Sequence, residues 1–176
     1  MTPLRRFETA VLPCLDAAYN LARWLLRDDA AAEDVVQEAA LRAFRYFASY
    51  RGGDVRPWFL AIVRNVCFTH LAQRQGRPEQ NGFEDDALEA LQWDAGLAAP
   101  GPEAAVHATR EHALIDAALR ALPPAWREVV VLRELEGLDY AEIAQVTGLP
   151  VGTVQSRLSR ARSRLRELLV RSGARE

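Results

Sequence analysis

Five arginines lie between residues 157 and 166, within the stretch "GTVQSRLSRARSRLREL" of residues 152–168. The planar guanidinium group offers a fork of N–H donors that matches phosphate oxygens, so a helix with this many arginines could bind a polyanion. A merely solvated helix usually mixes both signs of charge at i,i+4 spacing. Glu167 is the only acid in this stretch, which favours a negatively charged partner such as DNA over an ordinary solvated face.

The side chains of this stretch separate into two faces when they are placed about 100° apart around a helix. The apolar face, which would pack on the rest of its domain, consists of Val154, Leu158, Ala161, Leu165, Leu168 and Leu169. Short serines occupy the opposite face and would let the helix approach a surface closely. Flanking arginines can reach phosphates, while polar side chains of the outer face can contact base edges. The candidate DNA contacts are Gln155, Ser156, Arg157, Ser159, Arg160 and Arg164.

A short helix with its own start and stop signals precedes the arginine-rich helix. Asp139 is placed to cap it, Glu142 three residues later completes a capping box, and Gly148 ends it. A tight turn, "GLP", then leads into the arginine-rich helix. Two helices joined in this way predict a helix-turn-helix, whose second helix enters the major groove of DNA.

Apolar residues elsewhere in the chain also recur at helical spacing, and no alternating β pattern stands out. This spacing predicts further helices over residues 4–27, 30–49, 57–75, 110–121 and 124–136. Residues 76–109 are rich in Gly, Pro and acids, as is typical of a linker, with one weak helical turn around 85–93. We therefore predict an all-α protein of two small helical domains, residues 1–76 and 110–176. An acidic linker over residues 77–109 would join them, and the C-terminal domain would be a helix-turn-helix.

The predicted second helix has an outer face that is not purely hydrophilic. Its buried stripe is predicted to be Val36, Ala40, Ala43, Phe44 and Phe47. Asp34, Glu38 and Leu41 share the opposite face, with Gln37 alongside. A solvated helix face needs only polar side chains, so a leucine between acids on the outer ridge indicates a docking patch. The alternative is that Leu41 packs against a neighbouring helix.

The predicted third helix carries aromatic, cationic and amide side chains on one face, namely Trp58, Arg64, Asn65, Phe68 and Thr69. A base can stack on an aromatic ring while a cation holds its phosphate, so this face suits single-stranded DNA. The alternative is that Trp58 and Phe68 are core residues.

Length and composition exclude several classes of protein. The 176 residues carry a formal net charge of −2, and no apolar run approaches the ~20 residues that a membrane-spanning helix needs. The N-terminus has acids where a signal peptide would be apolar, which predicts a cytoplasmic protein. The two cysteines, Cys14 and Cys67, lie in helical patterns and are predicted to be buried free thiols.

No pattern in the sequence indicates catalysis. His107 and His112 are five residues apart and would lie about 140° apart around a helix, which does not favour a shared metal. A Cys–His cluster, a Gly-rich phosphate loop and a nucleophile elbow are all missing from the sequence. We predict that the protein is not an enzyme and needs no cofactor or metal.

Two regions of the chain resemble the extracytoplasmic function (ECF) group of the sigma-70 family of bacterial RNA polymerase sigma factors. "LRALPPAWREVVVLRELEGLDYAEIAQVTGLPVGTVQSRLSRARSRLREL" is similar to the domain of that group that reads the −35 promoter element. "AEDVVQEAALRAFRYF" and "RPWFLAIVRNVCFTHLAQR" are similar to its N-terminal domain. The resemblance implies a factor that binds core RNA polymerase and directs promoter-specific initiation.

The resemblance also implies a role for each candidate surface. The arginine-rich helix would read the −35 element, although Gln155 stands where many members have Lys or Arg and would favour adenine over guanine. Arg157 borders the apolar face and could contact phosphate or hold structure instead. The third helix and the loop before it would capture a flipped base of the −10 element. The residues implied there are Arg51, Arg56, Trp58, Asn65 and Thr69. Those implied in polymerase binding are Asp34, Gln37, Glu38 and Leu41.

The resemblance further implies partners beyond promoter DNA and polymerase. Members of the group are commonly held inactive by an anti-sigma factor. The acidic linker, with Asp85, Asp86 and Glu89, would thread through a basic channel of the polymerase. The alternative reading is a stand-alone helix-turn-helix regulator. It would account for residues 110–172 and would bind duplex DNA tightly without polymerase.

Overall fold

The computed structural model describes residues 1–76 and 110–173, and this part of the chain is helical, without a β-strand. Residues 1–76 are called the N-terminal unit and residues 110–173 the C-terminal unit. The helices of the N-terminal unit are α1 (Pro3–Val11), α2 (Leu15–Leu26), α3 (Asp29–Tyr46) and α4 (Val55–Arg74). Those of the C-terminal unit are α5 (Arg110–Arg120), α6 (Pro124–Val130), α7 (Tyr140–Thr147) and α8 (Val151–Gly173). An all-α fold of two helical domains is thereby confirmed.

The first predicted helix is interrupted in the structure. A 3₁₀ turn over Leu12–Cys14 separates α1 from α2. Pro13 lies in this turn, and because proline lacks a backbone N–H it cannot continue the α-helical ladder. The next helix begins where the sequence predicts, since Asp28 caps α3 by accepting a hydrogen bond from the Ala31 N–H at 3.1 Å.

The predicted helix over 124–136 changes its hydrogen-bond pattern partway. α6 continues after Val130 as a π-helical turn over Val131–Leu135, and the Glu136 N–H donates to the Val131 carbonyl at 3.0 Å. Such wide turns are rare and occur often at functional positions. Here the residue that follows the turn is Glu136, which contacts Arg56 of the N-terminal unit.

The predicted buried stripe of α3 is displaced in the structure. Ala43 is buried as predicted, but Phe44 is 45% exposed and Val36, Ala40 and Phe47 are only partly buried. The fully buried side chains are instead Ala32, Val35, Ala39 and Ala43. Small alanines let α3 approach α2 and α4 closely, whereas Phe44 lies at the margin and meets the Phe7 ring edge-on at 5.3 Å.

The core of the described part of the chain is continuous across both units. α2, α3 and α4 pack against one another in the N-terminal unit, and α5, α6 and α7 each pack on α8 in the C-terminal unit. Between the units, α7 lies on α4 and α6 lies on α2. Both cysteines are buried free thiols, as predicted.

Three expectations from the sequence concern residues outside this description. The linker over 77–109, the weak helical turn around 85–93 and the acids Asp85, Asp86 and Glu89 all fall in the range that the structure does not describe. Among the helices of residues 1–76 and 110–173, none combines the length and the apolar character that crossing a bilayer would require.

Candidate nucleic-acid interface

The two helices α7 and α8 form the predicted helix-turn-helix. The Asp139 carboxylate accepts from the Glu142 N–H and the Glu142 carboxylate accepts from the Asp139 N–H, both at 2.8 Å. This capping box satisfies N–H groups that the start of α7 leaves unpaired. Gly148 ends α7 with φ of 72°, a left-handed conformation that glycine adopts without strain.

The arginine-rich helix α8 divides into a buried face and an outer face as predicted. Val154, Leu158, Ala161 and Leu168 are buried, while Leu165 and Leu169 are partly buried. Gln155 and Ser159 are exposed, and Ser156 and Arg160 are half-buried. The Ser156 hydroxyl donates to the Thr153 carbonyl at 3.1 Å. The outer ridge of α8 therefore presents short polar side chains flanked by cations.

Arg157 does not belong to this outer ridge, which corrects its selection as a DNA contact. Its side chain is only 4% exposed, among the residues that α8 packs into the C-terminal unit. The position on the border of the apolar face explains this outcome, because the long aliphatic stem of arginine can cover apolar surface. Of the two roles considered for Arg157, the structural one fits the observed burial.

Two arginines of α8 have carboxylate partners within the C-terminal unit. Arg162 donates to Glu134 with N···O distances of 3.1 and 2.6 Å, and Arg164 donates to Glu167 at 2.9 Å. Both pairs are exposed to solvent, where such contacts contribute little and exchange readily. Part of the positive charge of α8 is thus balanced by a carboxylate from outside the helix, Glu134, which the sequence of α8 alone does not show.

The outer ridge of α3 is exposed as the sequence predicts. Asp34, Gln37 and Glu38 lie on the surface, and Leu41 is 64% exposed. The alternative in which Leu41 packs on a neighbouring helix is therefore wrong. Glu38 accepts from Arg42 one turn later at 2.6 Å. The four side chains form one ridge with an apolar end and two carboxylates.

The loop between α3 and α4 forms one wall of a cavity of about 360 Å³. Gly52 and Gly53 have φ of 91° and 95°, which turns the chain sharply before Asp54 caps α4 by accepting from the Arg56 N–H at 3.0 Å. Arg51 is exposed in this loop. The cavity is lined by Ser49, Tyr50, Arg51, Gly52, Gly53, Asp54, Pro57 and Trp58, and also by Glu142 and Gln145 of α7.

Trp58 combines features of both interpretations, the core residue and the DNA-facing residue. Its ring is half-buried and lies in an aromatic cluster, 5.2 Å from the Tyr50 ring and 6.2 Å from the Phe47 ring. It also lines the cavity. One edge of the indole therefore supports the fold while another faces open space.

The polar face of α4 is engaged by the C-terminal unit. Arg64 donates to both carboxylate oxygens of Glu128, at 2.9 and 3.1 Å, and its guanidinium lies 4.3 Å from the centre of the Phe68 ring. Burial disfavours the charged form of Arg64, but the Glu128 carboxylate outweighs this effect and raises its pKa. Asn65 is exposed and Thr69 is half-buried on the same helix.

Arg56, at the start of α4, is also engaged. Its Nη2 lies 2.9 Å from the Glu136 carboxylate and 2.9 Å from the Glu136 carbonyl oxygen. The same carboxylate accepts from Asn20 of α2 at 2.6 Å. Of the −10 candidates, Arg51 and Asn65 are thus exposed, whereas Arg56 is held by the other unit.

The sequence analysis missed the residues that join the two units, Arg127, Glu128 and Glu136. Arg127 and Glu128 interrupt the apolar run "WREVVVL", and charged residues inside such a run are the signal that could have identified them. Both are almost fully buried, and charges are seldom buried without partners.

Comparison with known proteins identifies two family models along the chain. The model described as sigma-70 region 2 matches residues 11–77, and the model described as sigma-70, region 4 matches residues 112–165. The first contains the ridge of α3 and the polar face of α4. The second contains the helix-turn-helix.

Several curated relatives match over most of the chain. The ECF RNA polymerase sigma factor SigE of Mycolicibacterium smegmatis is 36% identical over 156 residues, which is 89% of this chain and 58% of that protein. The RNA polymerase sigma-H factor of Pseudomonas aeruginosa is 33% identical over 94% of this chain and 86% of its own length. The ECF RNA polymerase sigma-E factor of Escherichia coli is 36% identical over 73% of this chain and 69% of its own.

Solved structures with the same fold also cover both units. The sigma factor RpoE, in complex with the anti-sigma factor NepR from Bartonella quintana, matches with a TM-score of 0.69 and 26% identity over 94% of this chain and 97% of that one. CnrH, in complex with the cytosolic domain of CnrY, matches with a TM-score of 0.65 and 24% identity over 94% and 88% of the two chains.

Proposed function

The chain belongs to the ECF group of the sigma-70 family, and from this membership we propose that it binds core RNA polymerase and directs initiation at a restricted set of promoters. It spans 58% of the length of the Mycolicibacterium smegmatis relative, 86% of that of the Pseudomonas aeruginosa relative and 69% of that of the Escherichia coli relative. The proposed activity needs no covalent chemistry of the protein itself. It consists of positioning polymerase and stabilising an opened strand, and it would take place in the cytoplasm beside the polymerase.

The single observation that carries this proposal is the placement of two kinds of surface on two different units. The helix-turn-helix presents an exposed polar ridge on α8, and α3 presents an exposed ridge of acids, glutamine and leucine. A stand-alone regulator needs the first ridge and has no use for the second. We take the units to act as separate domains, residues 1–76 and 110–176, with residues 77–109 as the connection.

We propose that α8 reads the −35 element through its outer ridge. Gln155, Ser159 and Arg160 would contact base edges, and Ser156 and Arg164 would contact the adjacent backbone. Base contacts specify a sequence while phosphate contacts set the register, so removal of each kind has a different consequence. The Arg164–Glu167 pair is exposed, and phosphate could replace the carboxylate at little cost.

We propose that the loop before α4 and the polar face of α4 bind the −10 element. Arg51, Arg56, Asn65 and Thr69 would contact the strand, and Trp58 would border the pocket for an extruded base. Extruding a base costs a few kcal/mol of stacking, which contacts in the pocket must recover. The cavity beside Trp58 supports this proposal, because it offers open space next to an aromatic ring.

We propose that the ridge of α3 docks on core polymerase through Asp34, Gln37, Glu38 and Leu41. An exposed leucine flanked by carboxylates supplies apolar contact area together with a charge pattern that selects a basic partner. The solved RpoE structure contains an anti-sigma factor, and we propose that an anti-sigma partner likewise regulates this chain.

Run-off transcription with purified core polymerase on genomic fragments tests the proposal. The expected result is RNA from a small set of fragments that share a −35 and a −10 sequence, and only when both proteins are present. A gel shift with and without core enzyme distinguishes the stand-alone regulator. Tight duplex binding by the protein alone, with no transcript at any site, would refute the proposed function.

A further inference from the structure

The π-helical turn after α6 brings two charged side chains to the helix-turn-helix. The guanidinium of Arg133 lies 4.9 Å from the centre of the Tyr140 ring, at the start of α7, and donates to the Leu138 carbonyl at 3.0 Å. The next residue, Glu134, accepts from Nε and Nη2 of Arg162 in α8, at 3.1 and 2.6 Å. Two consecutive residues of one wide turn thus contact both helices of the motif.

Tyr140 links these contacts to one another. It forms a side-chain hydrogen bond with Arg162, and the hydrogen bond from Arg162 to Glu134 is the main cause that raises the pKa of Arg162. We call Arg133, Glu134, Tyr140 and Arg162 the brace. An isolated ion pair on a surface contributes little, but the brace is a network of four side chains from three elements. It therefore holds the guanidinium of Arg162 in place although its side chain is 43% exposed.

Arg162 lies on a line of exposed side chains that includes part of the proposed −35 surface. Gln155, Ser159, Arg162 and Arg166 are separated by four, three and four residues, so they follow one another along one side of α8. Arg162 is about 10 Å beyond Gln155 along the helix axis. The N-terminal part of a recognition helix contacts bases in the major groove, which is about 12 Å wide. A residue this far along the helix reaches the phosphates at the border of the groove.

Glu134 holds only one edge of the Arg162 guanidinium. A single oxygen, Oε1, accepts from Nε and Nη2. Because a guanidinium has five N–H donors in one plane, it can bind a phosphate oxygen while the carboxylate is in place. A long side chain loses its freedom when it binds, and a side chain that is already ordered avoids this cost. The brace thus presents Arg162 in a fixed orientation.

We propose that Arg162 contacts a phosphate of duplex DNA next to the bases read by α8, and that Glu134 is the positioning residue that orients it. The proposal rests on the proposed function for the identity of the DNA sequence, whereas the phosphate contact itself requires only a duplex. It also gives the π turn a role in DNA binding. A carboxylate near a DNA backbone repels it, so charge alone predicts tighter binding when Glu134 is removed. Positioning predicts the opposite sign.

Titration of a fluorescein-labelled duplex of mixed sequence with the full chain at low salt, followed by fluorescence anisotropy, measures this sign. Glu134→Ala should bind about fivefold more weakly than the wild type, because Arg162 must then be ordered on binding. Glu134→Gln keeps an acceptor oxygen and should lose less. The matched control is Glu167→Ala, which removes the same charge from the exposed pair with Arg164 and should bind at least as tightly as the wild type.

Several results of this titration would overturn the proposal. They are tighter or unchanged binding by both Glu134 variants, an equal loss in Glu167→Ala, and no binding of the duplex by the wild type. Circular dichroism shows which variants are folded. Should Glu134→Ala be unfolded, Glu134→Gln is the variant compared with Glu167→Gln, and the expected order is the same.

A double-mutant cycle shows whether Glu134 acts through Arg162. Arg162→Gln should weaken duplex binding and reduce the slope of log affinity against log salt concentration by about one, as loss of one phosphate contact does. In the Arg162→Gln background, Glu134→Ala should no longer weaken binding. An unchanged salt slope in Arg162→Gln would overturn the phosphate contact. A second loss of equal size in the double variant would show that Glu134 supports the fold of the motif instead of the orientation of Arg162.

These titrations use neither polymerase nor promoter. A protein whose variants bind the duplex as expected, but which gives no transcript with core polymerase, would refute the proposed function alone. Where transcription occurs, Arg162→Gln should lower it by the same factor on the cognate promoter and on one with an altered −35 sequence, because phosphate contacts carry no sequence information. A loss confined to the cognate promoter would assign Arg162 to base reading and overturn the phosphate contact.

Discussion

Arg127 and Glu128 are adjacent in α6, are both buried, and contact two different helices of the N-terminal unit. Arg127 donates to the Trp24 carbonyl of α2 at 2.7 Å, and Glu128 accepts from Arg64 of α4 at 2.9 Å. Burial, with the nearby positive charges of Arg27 and Arg120, lowers the pKa of Arg127 to about 9. The guanidinium therefore remains charged at neutral pH, and two neighbouring residues of opposite charge fix the position of α6 on the N-terminal unit.

Replacing Arg127 by Met should lower the free energy of unfolding by about 3 kcal/mol, because several buried carbonyls lose their donor at once. Urea denaturation followed by circular dichroism measures this quantity. Arg42→Met, which removes an exposed arginine paired with Glu38 in the same helix, should change it by less than about 0.5 kcal/mol. Equal effects of the two substitutions would contradict the role of Arg127.

The elements governed by local sequence could be predicted, and those governed by contacts between the units could not. The capping box of Asp139 and Glu142 and the exposed ridge of α8 follow from residues three or four positions apart, so the sequence contains all the information that they need. The clasp of Arg64 and Glu128 joins positions 64 residues apart, and its partners are chosen only when the two units pack together. Nothing in either helix alone distinguishes Arg64 from a solvated arginine.

The displaced stripe of α3 and the burial of Arg157 have a related cause. On α3 the alanines at 32, 39 and 43 are buried and Phe44 is left at the margin, because close helix packing favours small side chains over the largest apolar ones. A helical wheel that ranks residues by hydrophobicity points toward the phenylalanines instead. For Arg157 the helical wheel correctly located the border of the apolar face. Whether the side chain lies on the buried or the exposed side of that border depends on packing with the rest of the C-terminal unit.

The buried thiols should resist alkylation in the folded protein. Burial raises the pKa of Cys67 to about 12, with the Glu128 carboxylate adding to the effect, and burial also raises the pKa of Cys14. Because the thiolate is the reactive form, iodoacetamide near neutral pH should modify neither cysteine until urea unfolds the chain. Mass spectrometry of the native and the unfolded protein measures the added mass. Rapid alkylation of Cys67 in the native state would show that the interface between the units opens readily.

The N-cap of α3 should make stability depend on pH in the acid range. The hydrogen bond from the Ala31 N–H, with a smaller effect of Arg74, holds the pKa of Asp28 below its ordinary value of 3.8. The unfolded chain therefore takes up the proton first as the pH falls. The contribution of the ionised cap is fully present above pH 3.8 and is lost as the pH falls through the lower pKa of the folded state.

Asp28→Asn keeps a capping side chain but removes its titration. The wild type should melt at a higher temperature than this variant near neutral pH, and the difference should shrink in acid below the ordinary pKa of the carboxyl group. Thermal unfolding of both proteins across the acid range measures the difference. A difference that stays constant with pH would show that Asp28 does not titrate with folding.

Reversal of charge on the ridge of α3 should separate polymerase binding from folding. Asp34→Arg replaces an exposed carboxylate of the proposed docking surface and should weaken capture of core polymerase about tenfold, as loss and reversal of an interfacial charge typically does. Glu33→Arg makes the same change about 100° around the helix, also at an exposed position, and should leave capture nearly unchanged. Pull-down with purified core enzyme measures binding, and circular dichroism shows whether both variants are folded. Equal loss in the two variants would indicate a general effect of charge instead of a specific ridge.

Removal of the Arg160 side chain should relax the choice of promoter without affecting polymerase capture. Arg160 lies half-buried beside the exposed Ser159 on the outer ridge of α8, and a base contact of this kind is worth about 1–3 kcal/mol of discrimination. Arg160→Ala should therefore lower run-off transcription about tenfold on a promoter with the cognate −35 sequence and much less on one whose −35 sequence is altered. Arg166→Ala removes the same charge from an exposed position farther around the helix, and should lower transcription on both templates alike, if at all.

Phosphate contacts carry no sequence information. An Arg160→Ala protein that loses the same fraction of activity on both promoters would therefore show that Arg160 binds the DNA backbone. The −35 sequence would then be read by Gln155 or Ser159 instead.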